Sequence, residues 1–277
     1  MTTTRIPFLK MSGAGNDFVV VDNRHGIVPE PASTFAARVC ARRAAISADG
    51  LLLLESSPRK DFRMRYFNAD GSEAEMCGNG GRCIARFATL VGAARSEMAF
   101  ENLAGDFRAA LTSDDRVRLE MTDAHSMRLN QVVEVGGRRL TVHSLNTGVP
   151  HVVVPWDDLD AAPVVDLGRP LRHHPAFAPA GTNVNFVAVD GPQAIRVRTY
   201  ERGVEDETLA CGTGSVASAI LMTRLGRVGA PVTVTVRSGS QLGVDFEPGE
   251  GGATNVSLEG EAVVLFGGEL YLSVFGY

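Results

Sequence analysis

The chain has 277 residues, 44% hydrophobic and 21% charged, enough for one large or two small domains with a sizeable core. A formal net charge of −5 argues against nucleic acid, whose binders carry a basic footprint, and against an anionic membrane surface. Four cysteines are too sparse for a disulfide scaffold, and the longest apolar runs, Leu51 to Leu54 and Val152 to Pro155, are too short to cross a bilayer. The opening residues, Met1 to Phe8, lack the apolar stretch of a signal peptide, so a reducing cytoplasm is the expected compartment.

In chain order, Phe18 to Val21 reads as a strand, Ser33 to Arg42 as a helix, and the alternating Phe62 to Phe67 as a second strand. After Cys77, Ile84, Phe87, Ala88 and Val91 recur at helical spacing, and Gly92 is a fitting stop. Val132 to Val135 and Arg139 to Val142 flank Gly136-Gly137, a hairpin signal. Ala194 to Tyr200 and Val232 to Val236 are further strands. Between them, Val216 to Leu221 is apolar on nearly every side and stops at Gly226, the pattern of a buried helix. Many strands with one buried helix per half predict an α+β fold, a sheet wrapped around a central helix in each half.

The halves repeat. Asp17-Phe18-Val19-Val20-Val21-Asp22 resembles Asn185-Phe186-Val187-Ala188-Val189-Asp190, and Arg65-Tyr66-Phe67-Asn68 resembles Thr199-Tyr200-Glu201-Arg202. Tyr66 precedes Cys77 by the same interval as Tyr200 precedes Cys211. In this register the first half has the longer connection, which holds the Ser33 to Arg42 helix. The expected domains are 1–125, joined by the last strand 269–277, and 126–268.

Both cysteines sit in Gly-rich turns that open a helix, Cys77-Gly78-Asn79-Gly80-Gly81 and Cys211-Gly212-Thr213-Gly214-Ser215. A thiol just before a helix N-terminus feels the positive end of the helix dipole, which favours the thiolate. Cys40 and Cys83 read as small buried hydrophobes. The spacings contain no C-x-x-C and no paired His, which argues against zinc. A structural disulfide between Cys77 and Cys211 is the competing reading. Two thiols facing each other across one carbon would form an acid–base pair, able to invert an amino-acid α-carbon without a cofactor. The N–H groups of Gly78, Asn79, Gly212 and Thr213 would hold the substrate carboxylate.

With these residues the chain resembles the diaminopimelate epimerase family, cofactor-independent epimerases of lysine and peptidoglycan synthesis. The resemblance also rests on Gly13-Ala14-Gly15-Asn16-Asp17-Phe18, Phe67-Asn68-Ala69-Asp70-Gly71-Ser72, Gly148-Val149-Pro150-His151, Gly181 to Phe186 and Tyr200-Glu201-Arg202-Gly203. It implies two pseudo-symmetric domains, each a β-barrel-like sheet around a central helix, with the active site in the cleft between them. It places Cys77 and Cys211 at the catalytic positions. Asn16, Asn68, Asn183, Glu201 and Arg202 fall on positions that hold the distal amino-acid group of the substrate, and His151 and Glu201 on positions that bias the thiol pKa values. The implied reaction interconverts LL- and meso-2,6-diaminopimelate with neither metal nor pyridoxal phosphate. A homodimer is compatible with the family. Read without the resemblance, Asn16 and Asn68 are turn residues, His151 is a strand-edge histidine, and Glu201–Arg202 is as readily a solvated ion pair. His25, His125, His143, His173 and His174 read as surface or loop residues.

Two departures from the family pattern stand out. Ser47, in Ala45-Ile46-Ser47-Ala48-Asp49-Gly50, replaces a glycine, so this loop is expected to differ. Val149 stands where many members carry an Asn, so one polar contact to the distal group is expected to be missing or supplied by Asn146 or Thr147. The alternatives are a racemase of another amino acid, such as histidine, on the same scaffold, and an isomerase of the phenazine-biosynthesis type, which lacks the cysteine pair.

Overall fold

The computed structural model describes residues 5–277. Two compact units are present: one runs up to Leu119 and takes in Gly260–Tyr277, the other is Glu120–Glu259. The first run of elements is β1 (Arg5–Gly13), β2 (Asn16–Asp22), α1 (Ala32–Val39), β3 (Gly50–Glu55), β4 (Phe62–Asn68), β5 (Glu73–Ala74), α2 (Gly78–Leu90), β6 (Glu97–Asn102), β7 (Gly105–Leu111), β8 (Arg116–Glu120) and β9 (His125–Val135). The second is β10 (Arg138–Asn146), β11 (Pro150–Pro155), α3 (Val164–Arg172), β12 (Asn183–Gly191), β13 (Ala194–Glu201), β14 (Asp206–Thr208), α4 (Gly212–Arg224), β15 (Val232–Thr235), β16 (Gln241–Gly249), β17 (Gly252–Glu261) and β18 (Val263–Tyr271).

The second run copies the first, pairing included. β2–β3 and β11–β12 are parallel, as are β4–β6 and β13–β15. The other neighbours within each run are antiparallel. The closing strand of each run pairs with the opening strand of the other, β9 with β10 and β18 with β1. Among the described residues, the ladders are therefore β18-β1-β2-β3-β4-β6-β7-β8 and β9-β10-β11-β12-β13-β15-β16-β17. α2 packs on β1, β2, β3, β4 and β7, and α4 on β10, β11, β12, β13, β15 and β16. Each sheet thus wraps its own helix, as the sequence predicts.

Helices cover both faces of each sheet, which explains the apolar runs. Leu51 and Leu53 join the core formed with α1 residues Phe35, Ala36 and Val39, while Leu52 lies beside Gly80 of α2. All four leucines of β3 are fully buried, as strands covered on both faces require, each burial contributing about 1.5–3 kcal/mol. In the second unit Val152, Val154, Val184 and Phe186 pack with Leu167 and Leu171 of α3. The β9–β10 turn is the expected two-residue one: Arg138 pairs with Val135, and Gly136 and Gly137 have φ of 58° and 73°.

Three expectations need correction. The second unit has a surface helix, α3, matching α1. Pro163 before it, with Gly168 and Pro170 inside it, hides its apolar periodicity. The repeat register is also different. Val19 pairs with Leu51 and Leu51 with Phe67, just as Val152 pairs with Val184 and Val184 with Tyr200. β2 therefore corresponds to β11, and the similar β12 corresponds to β3; doubly covered strands converge on the same apolar composition. The β13–β14 hairpin is one residue longer than β4–β5, so Tyr200 matches Phe67 and Thr199 matches Tyr66. Finally, His143 is not a surface residue. It is 3% exposed on β10, and its Nδ1 accepts the Asn130 N–H at 3.1 Å.

Candidate active site

Each short hairpin strand, β5 or β14, ends three residues before a cysteine that caps a helix. Cys77 is the N-cap of α2 with φ −131° and ψ 121°, and Cys211 is the N-cap of α4 with φ −129° and ψ 110°. The first helical bonds are Gly81 N–H to Cys77 O at 2.7 Å and Ser215 N–H to Cys211 O at 2.9 Å. The N–H groups of Gly78, Asn79 and Gly80, and of Gly212, Thr213 and Gly214, thus lie ahead of the helical ladder, and neither N-cap makes a side-chain capping bond. Such a turn offers N–H donors and the positive end of a helix to an anion. Cys77 is half-buried and Cys211 buried. Burial pushes the thiols of Cys40 and Cys83 up to about 12 and keeps them protonated.

Around Cys77 a polar chain runs through two of the candidate asparagines. Arg82 Nη2 donates to Asn79 Oδ1 at 2.6 Å, Asn79 Nδ2 to Asn16 Oδ1 at 2.7 Å, and Asn16 Nδ2 to Asp49 Oδ2 at 2.9 Å. Asn68 shapes its turn: its N–H bonds Ser72 O, its C=O takes the Gly71 N–H, and its Nδ2 donates to Ser72 Oγ at 3.0 Å. Ser47 does adopt the left-handed conformation, with φ 59°, and its carbonyl accepts from Lys10 Nζ. The loop therefore keeps the backbone that a glycine would give, with a lysine salt-bridged to Asp17 at 2.7 Å holding it.

Around Cys211 the second unit places a different set. Cys211 Sγ lies 3.5 Å from Thr213 Oγ1. His151 is 1% exposed rather than at a strand edge, because β11 pairs with β10 on one side and β12 on the other. Thr199 Oγ1 donates to Asn185 Oδ1 at 2.9 Å, which turns the Asn185 amide nitrogen toward Val152 O at 3.0 Å and His151 Nδ1 at 3.2 Å. His151 Nδ1 is then the acceptor and Nε2 carries the proton, buried with no hydrogen-bond partner among the described residues. Burial, reinforced by Arg202, lowers the His151 pKa to about 3, so the ring is neutral. Glu201 moves the other way: burial raises its pKa, opposed by a 2.8 Å hydrogen bond from Thr208 Oγ1. Asn183 Nδ2 donates to Pro150 O at 3.1 Å, and its Oδ1 accepts the Arg202 N–H at 2.8 Å; Arg202 Nη1 reaches Ala180 O at 3.3 Å. Near Val149, Asn146 Oδ1 accepts the Gly148 N–H within its own loop, whereas Thr147 Oγ1 donates to Thr213 O at 3.2 Å and ties the loop to the turn that follows Cys211.

In the corrected register the cysteines repeat but their supports do not. His151, Asn185 and Thr199 occupy the positions of Phe18, Leu52 and Tyr66, where Phe18 and Tyr66 make an edge-on ring contact at 5.9 Å. Conversely, Arg82, five residues after Cys77, stands where the second unit has Val216. Sequence reasoning missed Asn185, Thr199 and Arg82. The available signal was a polar residue inside an otherwise apolar strand or helix face, which a buried position tolerates only with partners.

A family model described as "Diaminopimelate epimerase" matches residues 8–127 and 143–263. A diaminopimelate epimerase of Aquifex aeolicus is 42% identical over 284 residues, covering 98% of this chain and 99% of that protein. One from Chlorobaculum tepidum is 43% identical over 265 residues, covering 95% and 100%. Among solved structures, a PhzF-family phenazine biosynthesis protein of Bacillus anthracis superposes with TM-score 0.74 at 16% identity, covering 96% of this chain and 99% of that one. A hydroxyproline epimerase from Agrobacterium vitis gives 0.70 at 18%, covering 96% and 91%. The last two likenesses show a shared fold. The sequence matches, spanning both repeats with their helix-capping cysteines, show that the chain belongs to the diaminopimelate epimerase family.

Proposed function

We propose that this protein is an isomerase that interconverts LL- and meso-2,6-diaminopimelate, a step of lysine and peptidoglycan biosynthesis, by thiolate/thiol proton transfer at one α-carbon. The observation that carries the reading is the duplicated N-cap cysteine, in matching backbone conformation, in a chain of this family. Removing an α-proton leaves charge that spreads onto the substrate carboxylate. Turns whose N–H groups are not used by the helix suit that charge, and they are fixed before the reaction begins. One cysteine, as thiolate, takes the proton; the other, as thiol, delivers one from the opposite side. The reverse reaction exchanges their roles, which suits two identical groups.

Asn16, Asn68, Asn183, Glu201 and Arg202 are proposed to hold the distal amino-acid group, with the Arg202 guanidinium recognising a carboxylate. The amide groups of Asn16 and Asn183 already use one donor and the acceptor within the protein, so each has a single N–H left to offer. His151, its pKa lowered to about 3 by burial and its Nδ1 already accepting from Asn185, is too weak a base to take the proton and offers only its Nε2–H. The test is the pair of single substitutions Cys77→Ala and Cys211→Ala. Each should abolish conversion of LL- to meso-diaminopimelate while leaving the circular dichroism spectrum unchanged; conversion at the wild-type rate in either variant would remove the two-base reading.

A further inference from the structure

Arg82 is the largest fully buried side chain among the described residues, at 0% exposure. A guanidinium is normally buried only with a carboxylate, because removing its charge from water is costly. Arg82 contacts none among the described residues. Its hydrogen bonds go to neutral oxygens: Asn79 Oδ1 at 2.6 Å, Gly78 O at 3.4 Å and the Glu261 carbonyl at 3.5 Å. The side chain therefore folds back along α2 onto the two residues that follow Cys77, which brings its charge to the turn holding that thiol.

The charged and titratable groups acting on Arg82 are Cys77 and Cys83, whose thiolate forms would favour its charge, and Arg116 of β8, which opposes it. Cys83 is kept protonated by its own burial. Arg86, one turn further along α2, has its own acceptor in the Ala262 carbonyl. Of the groups that act on the guanidinium, Cys77 is thus the one suited to become its anion. In the second unit Val216 fills the position that matches Arg82, and the neutral His151–Asn185–Thr199 set lies behind the Cys211 turn.

We propose that Arg82 is the buried counter-charge of the Cys77 thiolate, a positioning residue that makes the two duplicated cysteines unequal and leaves Cys77 as the anionic member of the pair before substrate binds. The proposal deepens the two-base reading and rests on it. Two equal thiols facing one carbon would share a single negative charge with no preference between them. A buried guanidinium at the Cys77 turn assigns that charge to Cys77.

The test is the pH dependence of alkylation by iodoacetamide, followed by mass spectrometry, in the single variants Cys211→Ala and Cys77→Ala. Cys77 should reach half-maximal reactivity at lower pH than Cys211. Adding Arg82→Met, whose apolar chain suits the buried position, should raise the Cys77 midpoint by a pH unit or more, so that reactivity on the acid side falls about tenfold. The same substitution should leave the Cys211 midpoint where it was, and Arg82→Lys should keep the Cys77 midpoint near that of the parent. Equal midpoints for the two cysteines overturn the proposal, and that comparison does not depend on whether an Arg82 variant folds. A Cys77 midpoint unmoved by Arg82→Met also overturns it. Conversion of diaminopimelate by the unsubstituted protein is measured alongside: its presence with equal thiol midpoints sinks only the role of Arg82, and its absence sinks the reaction itself.

Discussion

Asn79 accepts a 2.6 Å hydrogen bond from Arg82 through its side-chain oxygen, and this decides which way the amide faces. With Oδ1 committed to a cation, Nδ2 must donate, and it does so to Asn16. Asn16 in turn ends on the carboxylate of Asp49. A cation at one end and an anion at the other give the chain a single polarity, so each amide is oriented before any ligand arrives. Asn79→Ala would leave a fully buried guanidinium short of an acceptor. The expected loss of stability is about 1–3 kcal/mol, measured by urea unfolding, together with weaker substrate binding through the released Asn16.

Two glycines in equivalent helices make a sharper contrast. A Cβ on Gly214 would stand 2.3 Å from Asn185 Oδ1, inside a network that fixes His151, and 3.3 Å from Cys211 Sγ. A Cβ on Gly81 would meet only the mobile tip of Met76 at 2.7 Å and Leu119 at 3.2 Å. Gly214→Ala should therefore cost about 1–3 kcal/mol by overpacking, with a larger loss of kcat. Gly81→Ala should stay within about 1 kcal/mol of wild type, because the gain in helix propensity offsets the shift of Met76. Thermal melts and steady-state rates on the two variants read the difference.

Acid stability should carry the mark of His151. In the unfolded chain it titrates near 6.5 and in the folded protein near 3, so between those values the unfolded state binds the extra proton. Stability from this group is complete above pH 6.5 and is lost as pH falls toward 3, at up to about 1.4 kcal/mol per pH unit. Glu201 acts oppositely. Its raised pKa means that the folded state keeps a proton longer, so its contribution weakens as pH rises above 4.5. His151→Phe copies the residue that the first unit carries at this position, Phe18, and should flatten the loss of stability between pH 7 and pH 5. Urea midpoints at the two pH values would show whether it does.

The sequence made most of this molecule readable where local chemistry decides the outcome. Gly92 and Gly226 stop the central helices with φ of 66° and 69°, and the Gly136-Gly137 turn sets its own hairpin. The Cys-Gly turns are visible for the same reason: the residues that cap a helix are contiguous. Relationships set by pairing across the sheet were harder to see. Tyr66 and Tyr200 suggest a register that the longer second hairpin shifts by one residue. That one residue changes which side chains are equivalent, and with it the polar trio behind Cys211 comes into view. His151 looks like an edge histidine until β10 and β12 are placed on either side of it. Arg82 looks like an ordinary helical arginine because one of its acceptors, the Glu261 carbonyl, lies far from it in the chain.

The central claim is a proton removed from carbon by one thiolate and replaced from the other side by a thiol that has exchanged with water. Incubating the protein with LL-diaminopimelate in deuterium oxide and following the product by NMR tests this most directly. The account predicts that the meso-diaminopimelate formed at early times, before the reverse reaction scrambles the label, carries solvent deuterium at the inverted α-carbon and none at the other. Meso product formed with its α-hydrogen retained from the substrate, or deuterium at neither carbon and no inversion, would contradict it.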